Sequence, residues 1–182
     1  MSLEVYDLNN VQFGSSRKLL IDTNVLIYLQ SGKNHNYDKM WELARKQGNE
    51  LFVTTLTISE FINYFVRTGY DIYCEKYNFD KATFDFKKDY QKTQDFLDIY
   101  DEVIDTLESE ILPKCSVIDF NKKDFENISE LTTYMNDIND ALYLKKAANE
   151  GFSIITHDAD FFNVQINENV KIFTYNPKSK RR

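Results

Sequence analysis

Histidine, cysteine, proline and glycine are all scarce here: two, two, two and five residues among 182. Cys74 and Cys115 stand in unrelated contexts without metal-ligand spacing, so neither a zinc site nor a disulfide framework is expected. With only His35, in a loop, and His157, in a turn, no histidine pair is available for metal-free phosphodiester chemistry. No Gly-rich phosphate loop of the P-loop or dinucleotide kind is found. No apolar run approaches the roughly 20 residues that cross a bilayer, and no signal-peptide pattern opens the chain. A cytoplasmic protein without a membrane partner is therefore expected.

Positive charge is also lacking. A net charge of −7 argues against a simple basic nucleic-acid binder. The deficit is local: Asp71–Glu110 holds 12 acids and 5 bases, and the remainder holds 17 of each. The acidity belongs to one module, leaving the rest able to present a basic rim to a polyanion.

What the chain does have is a core-forming composition, 42% apolar and 15% aromatic, on a one-domain length. Leu19-Leu-Ile21 reads as a short strand buried on both faces, and Val25, Leu26 and Leu29 continue at helical spacing. Asp22 falls at this junction, either as a simple helix cap or as a ligand-binding acid at the carboxyl end of a strand. A helix is predicted over Tyr37–Lys46 and a strand over Leu51–Thr54. Another helix opens at Thr57, with Glu60 in its first turn and an interruption at Gly69. From Phe86 to Ile111 apolar positions recur in steps of four and three. That pattern predicts a helix of about seven turns with an acidic outer side, packed in the core or against a second copy of itself. Ser116–Asp119, Phe152–Thr156 and Val170–Thr174 complete the strands, and a helix over Ala141–Ala148 ends at Gly151. Strands alternating with helices predict a parallel sheet with right-handed crossovers.

Asp22, Glu60, Asp140 and Asp158 then occupy equivalent junctions, all on one edge of a parallel sheet. Carboxylates gathered there without cations repel one another. A hard divalent cation, Mg²⁺ or Mn²⁺, removes the conflict and suits all-oxygen donors. Such an ion supports hydrolysis of a phosphodiester.

Four segments, Leu20-Ile-Asp-Thr-Asn-Val-Leu-Ile-Tyr28, Ile58-Ser-Glu-Phe61, Asn139-Asp-Ala-Leu142 and Ile155-Thr-His-Asp-Ala-Asp-Phe161, resemble in order the acidic motifs of the PIN domain. That family consists largely of metal-dependent ribonucleases and includes VapC-type toxins. The resemblance covers roughly residues 18–175 and implies that Asp22, Glu60, Asp140 and Asp158 are the catalytic, metal-binding acids. It also implies that Asn24 and Thr156 are small polar residues beside them. Asp137 reads first as a helix N-cap and otherwise as a metal ligand, while Asp160 either joins the metal or caps the turn of Phe161 and Phe162.

The expected fold is a three-layer α/β/α PIN-like domain, residues 18–175, with a central parallel sheet and an acidic helical insertion at 71–112. A weakly ordered lead-in, residues 1–17, precedes it and a basic tail, 176–182, follows. The expected function is an Mg²⁺- or Mn²⁺-dependent endoribonuclease, with RNA as substrate, a toxin–antitoxin role with an antitoxin-like inhibitor, and self-association as a further partner class. Lys33, Lys39, Arg45, Lys46 and the tail are the candidate phosphate contacts. The alternative is a non-catalytic PIN-like module acting through its long acidic helix on a protein partner. An aspartyl-phosphate enzyme using Asp22 ranks last, because Asn24 stands where a second aspartate is usual.

Overall fold

The computed structural model describes residues 3–10, 13–32, 35–132, 135–164 and 169–181. Lys33 and Arg182 lie outside them. Two compact units are present: one from residues 1–55 and 115–182, the other from Leu56–Lys114.

The first unit is built on six parallel strands: β1 (Glu4–Asp7), β2 (Lys18–Ile21), β3 (Glu50–Thr54), β4 (Ser116–Ile118), β5 (Ser153–Ile155) and β6 (Lys171–Thr174). Their order is β1-β6-β5-β2-β3-β4, and helices flank the sheet in a three-layer α/β/α arrangement. Leu19, Leu20, Ile21, Ile154 and Ile155 have no exposed surface. These near-continuous apolar runs form strands covered on both faces, which is why they lack polar alternation.

Two helices, α1 (Thr23–Gln30) and α2 (Tyr37–Lys46), connect β2 to β3. From β2 through β3 to β4 the chain steps one way across the sheet, and from β4 through β5 to β6 it steps back. Right-handed crossovers then place the helices that join β2 to β3 and those that join β4 to β5 on opposite faces. The reversal leaves a crevice at the carboxyl ends of β2 and β5, the neighbours at which the winding changes direction.

The lead-in was expected to be weakly ordered. Instead Glu4–Asp7 forms an edge strand in register with Lys171–Thr174. Its only apolar pair, Val5 and Tyr6, sits between acids. An edge strand needs no long buried run, so its sequence signal is weak. Tyr6 stacks on Phe173 with ring centroids 5.1 Å apart.

In the helical unit α3 (Thr55–Tyr77) runs unbroken through Gly69, so the unit is wider than the expected 71–112. Gly69 is there for space. A Cβ on it would lie 2.4 Å from Ile99 Cδ1 and 2.7 Å from the Tyr90 hydroxyl. The expected seven-turn helix is also shorter. Thr93 caps α4 (Gln94–Thr106), accepting from the Phe96 N–H, and a π-helical turn, Leu107–Ile111, continues it. Before it, Asp85 accepts from the Lys87 and Lys88 N–H groups and Asp89 from that of Asp85. These carboxylates offer the backbone turns in place of helix. Within the unit Phe96 and Ile99 pack against Val66, Tyr70, Cys74, Phe86 and Tyr90, so part of the α4 stripe is core.

Two further helices, α5 (Ser129–Thr132) and α6 (Ile138–Glu150), connect β4 to β5 in the first unit. Gly151 closes α6 at φ 72°, the left-handed conformation of a C-cap.

Candidate functional site

The site forms where β2 and β5 end. The Asp22 N–H donates to the Ile155 carbonyl at 3.0 Å, so the two strand ends are tied as the chain leaves the sheet. Asp22 holds the N-cap position of α1 in extended conformation, φ −76° and ψ 153°. Its side chain makes no capping hydrogen bond; it accepts instead from the Thr156 hydroxyl at 2.5 Å. Of the two readings of Asp22, the simple cap does not describe its carboxylate.

Thr156 is fully buried and its hydroxyl is fully used. It donates to Asp22, accepts from the Asp158 N–H at 2.9 Å and accepts from Asn24 Nδ2 at 3.4 Å. Asn24 Oδ1 in turn accepts from the His157 N–H at 3.0 Å. One hydroxyl and one amide thus fix the Asp22 carboxylate against the turn that carries Asp158. Asp158 Oδ1 accepts from the Asp160 N–H at 2.9 Å, and Asp160 opens the short 3-10 turn that carries Phe161 and Phe162. Asp160 is exposed.

Asp140 lies in the first turn of α6 and Asp137 is its N-cap, accepting from the Asn139 N–H at 2.8 Å. The Tyr143 hydroxyl, one turn further along, donates to the Ile21 carbonyl and pins the helix to the end of β2. The Asp140 carboxyl is pushed up to about 7, first by burial and then by Asp22, Asp137, Asp158 and Asp160. Five aspartates therefore share one electrostatic field. Glu60 belongs to the helical unit. It is half-buried and in the second turn of α3, not the first, because that helix starts at Thr55 rather than Thr57.

Among the described residues no group of three or more His, Cys, Asp or Glu side chains stands arranged to hold a metal ion. The donor chemistry nevertheless fits a hard divalent cation. Every group that raises Asp140 by charge is a carboxylate, and an oxygen-binding cation relieves both the crowding and the retained proton.

Beside the acids is a group of rings that the sequence pattern does not reveal, since its members come from three separate segments. The His157 ring stacks on His35, centroids 4.8 Å apart, and both meet Tyr28 edge-on at 5.1 and 4.5 Å. The Tyr37 hydroxyl lies 3.1 Å from His157 Nδ1 and 3.0 Å from the Thr156 carbonyl, and accepts from the Tyr175 N–H at 3.2 Å. Burial pushes that hydroxyl up to about 12 and, together with His35, holds His157 below its ordinary value. Asn176 Nδ2 donates to the His157 carbonyl at 2.5 Å.

Of the expected phosphate contacts, Lys39 is exposed near the start of α2, and Lys178 follows β6 at the carboxyl edge. Arg45 and Lys46 close α2 just before β3 begins, which puts them towards the opposite, amino edge.

A family model describing the PIN domain matches residues 19–167. Among solved structures, the chain is similar to one in the crystal structure of VapBC2 from Rickettsia felis bound to a DNA fragment from their promoter. The TM-score is 0.54 at 18% identity, covering 85% of this chain and 97% of that one. It is also similar to a chain in a toxin–antitoxin complex from Klebsiella pneumoniae, with TM-score 0.48 and 17% identity over 84% and 96%. No curated protein matches.

Proposed function

The chain belongs to the PIN domain family, and from that membership we propose that it is a divalent-metal-dependent endoribonuclease, the toxin of a toxin–antitoxin pair. The observation that carries the chemistry is the crowding around Asp140. A carboxyl pushed up to about 7, first by burial and then by Asp22, Asp137, Asp158 and Asp160, sits in a concentration of negative charge that a bound cation would offset. Asp22, Asp140 and Asp158 would hold Mg²⁺ or Mn²⁺, with Glu60 as the fourth acid of the family pattern and Asp160 at the margin.

Such an ion, when bound, lowers the pKa of a water molecule and offsets charge on the phosphodiester. The chain's own residues prepare that step. Thr156 and Asn24 fix one Asp22 oxygen, leaving the carboxylate oriented. Asp140 would have to lose its retained proton to act as a ligand. Tyr143 keeps α6, and with it Asp140, against the end of β2. Lys39 and Lys178 are the described cations placed to meet RNA phosphates, and that contact should weaken with salt. A cognate antitoxin would act by covering this edge in the cytoplasm.

The test is incubation of the purified protein with mixed RNAs in Mn²⁺, Mg²⁺ or EDTA, beside Asp22→Asn. Cleavage in either metal, absent in EDTA and in the variant, is expected. EDTA-resistant cleavage that Asp22→Asn retains would overturn the proposal.

A further inference from the structure

The Tyr28, His35 and His157 rings lie beside the acids but have no part in the chemistry proposed above. We propose that His35 and His157 form a stacking platform for one unpaired base of a single-stranded RNA, next to the phosphate being cut. This rests on the nuclease reading for its substrate class, but its own evidence is geometric.

The rear of the platform is fixed. His157 is held through its N–H by Asn24 and at Nδ1 by the Tyr37 hydroxyl, 3.1 Å away. Tyr37 is fully buried and also meets the His157 ring edge-on at 5.8 Å. The front is open. His35 is exposed, and it lies near-parallel to His157, at an interplanar angle of 29°. Its backbone is left-handed, φ 44°, and so is that of Asn36, φ 69°. A non-glycine residue adopts that conformation at a cost that something else must offset. The ring contacts to Tyr28 and His157 provide the offset and hold the imidazole at the edge.

Continuity with the acids sets what the platform serves. His157 separates Thr156, bonded to Asp22, from Asp158. The platform therefore continues from the turn that carries Thr156 and Asp158. Lys39, hydrogen-bonded to Asn36 at 3.0 Å, places a cation next to the same loop for the adjoining phosphate. Aromatic faces accept any base, but only one not already stacked in a duplex. The platform thus favours unpaired strands without reading sequence.

The experiment measures binding of a short single-stranded RNA in EDTA, so that no cleavage occurs, to wild type, His35→Ala and His35→Phe. Loss of one stacked base should weaken binding by roughly 5- to 150-fold in His35→Ala. His35→Phe should bind much as wild type does, and affinity for the matching duplex should not change. In wild type, 2-aminopurine moved along the strand should be quenched most at one position, and His35→Ala should relieve that quenching. Equal affinity in wild type and His35→Ala, no position-dependent quenching, or no binding at all would each overturn the platform. Cleavage by wild type in Mn²⁺ is scored separately. Cleavage with no effect of His35 refutes the platform alone, and His35-dependent binding without cleavage refutes the nuclease reading alone.

Discussion

Replacing Asp140 with Asn should stabilise the metal-free protein, and only above a definite pH. The Asp140 carboxyl rises from 3.8 to about 7 on folding. At about 1.4 kcal/mol for each tenfold change in proton affinity, that rise corresponds to roughly 4 kcal/mol. Asp140 keeps appreciable solvent contact, so screening reduces this to about 2 kcal/mol. Below about pH 4 the group is protonated in both states and contributes nothing. Between about pH 4 and pH 7 the unfolded chain ionises it while the folded protein retains the proton. Stability therefore falls as pH rises across that window and stays lower above it. Asn mimics the protonated form and escapes the penalty. Urea unfolding in EDTA should show Asp140→Asn matching wild type near pH 4 and exceeding it by about 2 kcal/mol at pH 8. For a chain of this size that is a gain of about 4–8 °C in melting temperature. A variant no more stable than wild type at pH 8, or a difference independent of pH, would refute the reasoning.

Gly69→Ala should destabilise the helical unit by about 1–3 kcal/mol despite alanine's helix preference, because its Cβ would meet Ile99 and Tyr90; urea unfolding measures this. At the α6 N-cap, Asp137→Ala should lose about 0.5–2 kcal/mol and Asp137→Asn only a fraction of that, read by thermal melts. Tyr143→Phe leaves the Ile21 carbonyl without its phenol partner and should lose about 1 kcal/mol, with slower RNA cleavage, since the hydroxyl links the Asp140 helix to the Asp22 strand.

The buried parallel strands were legible in the sequence because burial on both faces writes itself as a run of Leu, Ile and Val. The placement of Asp22, Asp140 and Asp158 near the ends of strands and the start of a helix was legible because they follow or begin elements that such runs define. Three features were not. Edge strand β1 is half-buried and so leaves little apolar pattern. Gly69 read as a breaker because its reason, close approach of Ile99 and Tyr90, is tertiary. The stretch before Thr93 kept a helical period while its Asp side chains captured backbone N–H groups. The ring group around His157 was invisible for a related reason. His35, Tyr28 and His157 come from different loops and helices, and no spacing within a chain reports rings that meet only after folding.

The central claim is that the aspartates at the carboxyl ends of β2 and β5 and the start of α6 form a divalent-cation site. Calorimetric titration of the protein with Mn²⁺ at pH 6, repeated in buffers of different ionisation enthalpy, tests it directly. Asp140 is then mostly protonated, so binding should release close to one proton in wild type. Asp137→Asn should still bind Mn²⁺, with somewhat less proton release because one charge that raises Asp140 is gone, while Asp22→Asn, Asp140→Asn and Asp158→Asn should lose most affinity. Wild-type Mn²⁺ affinity in Asp140→Asn, with no proton released by wild type, would contradict the account.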